Sequence, residues 1–438
     1  MLDLFQGLLS LFFSQQEPKL QLLRSTNLSP WLDTVWVRSA AVRKPDPQAE
    51  LAVRLHLATM ARLNLPIEGQ GVWVQAGNEI LAENQGIAPL SAASLTKTAT
   101  TLAALQAWGI DHRFETLISA SGPIEDGVLK GDLIVQGGGD PFFVWEEAIV
   151  LGNSLSQKGI RQVTGNLVVS GNFAMNFETD PAQAGSLLKQ GIDANLWSAE
   201  AAAQHSKLPP GTARPQIQIN GTMQVNSLEQ LKARSLTPLI RHRSLPMIDI
   251  LKAMNIYSNN IMSEMMAQML GGAAGVTQKV LQATQIPPEE IQIINGSGLG
   301  EQNRLSPRAV TAILIATQRY LQPRQLSVAD IYPIQGRDSG TLKWRELPNG
   351  SAVKTGTLNA VSSLAGAIPT RDRGLVWFTI INLGAGDLET FHQQQDQLLQ
   401  RLQQAWGAPN PLPPAIQPSD RPRPSASRLG AAERNEIL

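Results

Sequence analysis

The sequence predicts a mixed α/β (α+β) protein in which one sheet is assembled from both ends of the chain and interrupted by an inserted domain. Strand-like runs at residues 71–76 and 79–84 precede an apolar helix, and a second pair, at 362–368 and 375–382, comes near the end. Helical segments at 51–63 and 387–406 flank these strands, which fits one sheet covered by terminal helices. Between residues 108 and 241, short β-type runs (133–136, 165–170 and 216–219) are separated by Gly and Pro, the pattern of a β-rich insert.

Taken in order, residues 1–13 are apolar, with Leu2, Phe5, Leu9, Phe12 and Phe13 on one helical face and Asp3, Gln6 and Ser10 opposite. The run lacks the positive start and small-residue cleavage site of a secretory signal and is too short to span a bilayer. An interfacial anchor making peripheral membrane contact, a signal remnant and a docking helix all fit it. Residues 1–48 thus form an apolar segment and connector. The main domain is expected to be discontinuous, 49–107 and 242–406, around an accessory domain at 108–241. Ser94 opens a helix carrying Leu95, Leu102 and Leu105 that stops at Gly109, and helices return around Ser258. Prolines 409, 411, 413, 414, 418, 422 and 424 predict a disordered tail over 407–438.

Composition narrows the chemistry. The chain has 438 residues, 42% of them hydrophobic, with 36 acids balanced by 36 Lys plus Arg. A neutral chain is a poor nucleic-acid binder, which needs a basic surface. The absence of cysteine excludes disulfides, thiolate catalysis and cysteine metal sites. His56, His112, His205, His242 and His392 show no metal-ligand spacing, so no metal or other cofactor is expected.

The motifs that carry chemistry are Ser94-Leu95-Thr96-Lys97, Ser258-Asn259-Asn260 and Lys354-Thr355-Gly356, in that order. A serine hydroxyl is a poor nucleophile until a base takes its proton, and three residues along a helix put Lys97 on the same face as Ser94. Lysine normally titrates near about 10.4, so a lysine base must be desolvated or set beside another cation, a role open to Lys354. Decoys exist. Ser186-Leu187-Leu188-Lys189 repeats the first pattern, and Ser25-Thr26-Asn27 and Ser170-Gly171-Asn172 the second, but neither has the strand-then-helix setting of Ser94. Gly336-Arg337-Asp338-Ser339-Gly340 reads as a turn rather than a trypsin-like nucleophile loop. Gly296-Ser297-Gly298-Leu299-Gly300 lacks the final glycine and the βαβ unit of a dinucleotide site.

From about Leu51 to Trp406 the chain resembles the low-molecular-mass class C penicillin-binding proteins of the D-alanyl-D-alanine carboxypeptidase/endopeptidase type, peptidase family S13. The likeness rests on the three motifs and on the blocks at 127–133 with 137–141, 159–169, 295–299 with Asn303-Arg304, 336–342 and 354–358. Asn259 stands where relatives often have Asp, and Asn295 where they have the Asp of an Asp-Gly-Ser-Gly-Leu block. The short interval between Ser94 and Ser258 implies a reduced or missing accessory subdomain. The resemblance implies a penicillin-binding-protein/β-lactamase-like transpeptidase fold, a periplasmic or cell-envelope location, peptidoglycan stem peptides as substrates and β-lactams as inhibitors. It implies that Ser94 attacks the carbonyl of the penultimate D-alanine with Lys97 as base and that Ser258 relays a proton to the leaving amine. Asn260 would hold Lys97 and the substrate amide, and Lys354 with Thr355 the terminal carboxylate. The N–H groups of Ser94 and Thr357 would form the oxyanion hole, with Gly356 letting the substrate approach the strand. The alternatives are a β-lactamase-like hydrolase and a non-catalytic peptidoglycan-binding protein of the same fold.

Overall fold

The computed structural model describes residues 41–420 and 425–438, so the apolar segment at 1–13 lies outside the described residues. The main sheet runs in the order Val42–Arg43, Glu79–Asn84, Gln70–Ala76, Gly374–Leu383, Val361–Thr370, Ala352–Leu358. All pairs are antiparallel except the first. Strand Val361–Thr370 is buried along its whole length because both faces are covered. Alternation divides its side chains: Leu364 and Ile368 pack with Phe378 under the terminal helices Pro47–Arg62 and Leu388–Trp406, whereas Ala365 and Ala367 face the helical core around Leu95, Leu102 and Ile313. Both terminal helices start at aspartate caps, Asp46 and Asp387, whose carboxylates accept first-turn N–H groups. The helix Thr96–Trp108 is buried from Thr96 to Leu105, with Gly109 at φ +80° ending it.

The chain leaves this domain at Phe114 and re-enters at Ser244, and the two crossings are tied together. Phe114 N donates to Ser244 Oγ (2.8 Å) and Arg113 Nη1 to the Ser244 carbonyl (2.7 Å). Strand Thr237–Arg243 therefore runs through the expected boundary at 241.

The insert is β-rich as expected, and helices add to it: its main sheet, in the order Met223–Val225, Leu167–Asn172, Leu133–Gly138, Glu115–Ala120, Thr237–Arg243, Asn435–Ile437, is packed by the helices Trp145–Gln157 and Pro181–Gly191. Leu133–Gly138 and Leu167–Asn172 pair in parallel, which obliges a crossover, and Trp145–Gln157 is that crossover. One expectation needs correction: the described residues of the tail do not behave as a disordered segment. Asn435–Ile437 adds an edge strand to Thr237–Arg243, Ile416 is buried in the helical core, and Arg434 is buried against Glu147. Proline content signals missing N–H donors, but Ile416 and Arg434 supply burial that composition does not register.

Candidate active site

The turn that presents Ser94 is strained. Ala93 has φ +48°, a left-handed conformation unusual for a residue with a Cβ, and it lifts Ser94 onto a short 3₁₀ turn that leads into the helix Thr96–Trp108. One turn on, Lys97 Nζ lies 2.9 Å from Ser94 Oγ. The same nitrogen donates to Asn260 Oδ1 (2.7 Å) and to the Ser297 carbonyl (2.7 Å). With Lys97 fully buried, desolvation lowers its pKa to about 7, opposed by the field of Glu264. A neutral amine has two N–H donors and one lone pair. Asn260 and Ser297 take the donors, so the lone pair is left facing the Ser94 hydroxyl.

Ser258 ends the helix Met247–Tyr257 in the left-handed region (φ 52°, ψ 39°), while Asn259 caps the next helix by accepting Met262 N (2.9 Å). The tight joint puts Ser258 and Asn260 on consecutive helix ends facing the same space. Lys354, also fully buried, donates to Ser258 Oγ (2.9 Å) and to the Thr355 carbonyl (2.6 Å). Burial first, and the charge of Lys97 second, hold the Lys354 ammonium well below the usual lysine range. Desolvation rather than a neighbouring cation is thus the principal cause for both lysines.

Ala352–Leu358 is an edge strand, and its outer edge can be read from hydrogen bonding. Val353 N donates outward to the Pro333 carbonyl (3.0 Å), so the alternate residues Thr355 and Thr357 also present their N–H groups to the open side. Thr357 is exposed there, and a groove of about 720 Å³ lined by Leu299, Glu301, Leu358 and Asn359 continues from it. Gly356 also serves a need within the fold. A Cβ there would sit 2.9 Å from Ser94 N and 3.0 Å from the Ala92 carbonyl, so glycine lets the strand close on the nucleophile turn itself.

The structure therefore forms two hydrogen-bonded groups, Lys97 with Ser94 and Asn260 and Lys354 with Ser258, near enough for the charge of Lys97 to act on Lys354, with Thr355, Gly356 and Thr357 along the edge strand. One contributing residue was missed. Glu264 receives Gly296 N (3.0 Å) and Ser297 N (2.8 Å), aiming the Ser297 carbonyl at Lys97, and its position four residues after Asn260 on one helix was the available signal. Asn295 Oδ1 accepts Gly298 N (2.8 Å), a contact an aspartate oxygen would make equally. The decoy Ser186 instead bonds the Ala182 carbonyl, and Lys189 reaches the Gly221 carbonyl.

Residues 54–181 and 213–404 match the family model of the D-Ala-D-Ala carboxypeptidase 3 (S13) family. The chain belongs to the S13 family. Its relatives include D-alanyl-D-alanine carboxypeptidase DacB of Haemophilus influenzae, 24% identical over 78% of this chain and 92% of that protein. Carboxypeptidase DacB of Mycolicibacterium smegmatis is 29% identical, but over only 34% of this S13 chain and 36% of its own length. Among solved structures, the penicillin G-acylated predatory endopeptidase Bd3459 of Bdellovibrio bacteriovorus, in complex with its immunity protein, superposes with a TM-score of 0.71 at 19% identity, covering 84% of this chain and 99% of that one. Penicillin-binding protein 4 of H. influenzae gives 0.59 at 18% identity over 80% and 98%. The S13 chain thus has the penicillin-binding-protein fold.

Proposed function

We propose that this S13 protein is a serine D-Ala-D-Ala carboxypeptidase acting on peptidoglycan stem peptides in the cell envelope, through an acyl-enzyme on Ser94. The observation that carries this reading is the single buried Lys97 nitrogen within hydrogen-bond reach of Ser94, Asn260 and Ser297. Ser94 Oγ attacks the D-alanyl carbonyl as its proton passes to Lys97. The developing oxyanion is met by the N–H groups of Ser94 and Thr357, each donor of this type contributing about 3 kcal/mol. As the C–N bond breaks, the electron pair stays on nitrogen, which takes a proton through Ser258. Because Lys354 donates to Ser258 Oγ, the serine's own O–H is free to turn to the leaving group. Lys354 and Thr355 hold the terminal carboxylate. Water then hydrolyses the ester.

A penicillin is expected to acylate Ser94 in the same way and to be released slowly, as from a peptidase rather than a β-lactamase-like enzyme. Glu264 is the carboxylate whose field reaches Lys97, and both of its oxygens already accept N–H groups instead of being free to activate water. Mass spectrometry of muropeptides incubated with the full chain tests the proposal. Loss of the terminal D-alanine from pentapeptide stems is expected, cleavage at cross-links would add endopeptidase activity, and unchanged muropeptides would overturn it.

A further inference from the structure

The block 336–342 has no role in the chemistry described above, yet it is held by a half-buried ion pair that joins the elements carrying two of the motifs. Lys252 lies in the helix Met247–Tyr257, whose C-terminal end carries Ser258. Its Nζ donates to the carbonyls of Ala329 (3.0 Å) and Tyr332 (2.6 Å) and to Asp338 Oδ2 (2.7 Å), so all three ammonium hydrogens are used. Both side chains are largely out of water, at 12% and 17% exposure, where such a pair is far less screened than at the surface. Asp338 Oδ2 also accepts Ile334 N (2.9 Å). Ile334 bridges Ala352, Pro333 receives Val353 N, and Gln335 N donates to the Ser351 carbonyl (2.9 Å), which stitches this loop to the strand that carries Lys354. Gly340, at φ +61°, meets the same helix near its end: a Cβ there would come 2.4 Å from the Ile256 carbonyl, two residues before Ser258. The path from Ser258 to Lys354 thus runs through one helix, one ion pair and one loop.

We propose that Lys252 and Asp338 are positioning residues that set the separation of Ser258 Oγ and Lys354 Nζ and so govern proton delivery to the leaving group. The inference rests on the acyl-transfer reading. An amide nitrogen must be protonated as it leaves, whereas a thiolate leaves without a proton. Disturbing Ser258 alone therefore slows amide cleavage much more than thiolester cleavage, while general damage to the fold slows both alike. A displacement on the order of 1 Å suffices for losses near 10²-fold.

The experiment compares wild type, Lys252→Met and Asp338→Asn on an acyl-D-Ala-D-Ala peptide and on the matching D-alanyl thioglycolate thiolester, with active sites counted by labelled penicillin. The expected result is a fall in amide kcat of about tenfold or more with thiolester kcat within about threefold, and no further loss in the double variant, since each substitution removes the same ion pair. Equal loss on both substrates, or no loss on either, would overturn the proposal. Should Lys252→Met fail to fold, Asp338→Asn retains the side-chain volume and an oxygen for Ile334 N, and carries the same comparison. A wild-type protein that cleaves neither substrate removes the acyl-transfer reading and this inference with it.

Discussion

At the candidate active site two lysines, Lys97 and Lys354, are fully buried, with the half-buried Glu264 as the acid whose field reaches Lys97; under the C-terminal tail, Arg434 and Glu147 are buried against each other. The lysines and the Arg434–Glu147 pair are similarly dry, so burial alone does not separate the two regions. The pairing of the charges does. Two amines buried without a counter-ion bonded to them lose affinity for protons, burial being the larger cause and the charge of Lys97 lowering Lys354 further, and a proton then moves near neutral pH. Opposite charges hold each other in place. Arg434 also donates to the Arg428 and Arg243 carbonyls, and Asn435 bonds His242 Nδ1 (2.7 Å) and Ser154 Oγ (3.0 Å), so the tail is locked to the accessory domain.

The comparison breaks most sharply at Lys97. Lys97→Arg is expected to lower acylation by about 10²–10⁴-fold, because a guanidinium keeps its proton at every accessible pH; stopped-flow acylation by a fluorescent penicillin measures it, and a rate within tenfold of wild type would move the base elsewhere. Next comes Lys354→Ala, with an expected loss of about 10²-fold and partial recovery in Lys354→Arg. Its sign follows from linkage: removing a cation beside Lys97 raises the Lys97 pKa, so the rising limb of the pH–rate profile moves to higher pH. Since burial is the larger cause, the limb remains far below the ordinary lysine range. An unmoved limb would show that the two lysines do not communicate.

Glu264→Gln sharpens the same comparison from the other side. Losing the anion that raises Lys97 should move the limb to lower pH, with a plateau reduced by about tenfold as one N–H of Gly296 or Ser297 faces the new amide. In the structural cluster, Arg434→Met leaves Glu147 buried without its cation and should cost about 3–5 kcal/mol of stability. Chemical denaturation reads that loss, and acylation per folded molecule should stay unchanged; a drop in acylation would tie the tail to the chemistry.

What was legible in the sequence follows from distance along the chain. Ser94 and Lys97 are one helical turn apart, so their contact is local and readable. The hairpin 71–84 and the strands 362–368 and 375–382 show uninterrupted β-type runs, and the structure extends them by only a few residues. Glu264 was missed because it acts through backbone N–H groups some thirty residues away, at Gly296 and Ser297. Helix Trp145–Gln157 is hard to see in the sequence because the Gly and Pro spacing around it is that of short strands. The tail misled for a related reason: its prolines dominate the composition, while its fixed position depends on single residues, Ile416 and Arg434.

The most direct test of the central claim is peptide mapping of the protein after brief exposure to labelled penicillin. Label on Ser94 alone, absent from Ser94→Ala, is the predicted result. Label on Ser186 or any other serine, or undiminished labelling of Ser94→Ala, would contradict it.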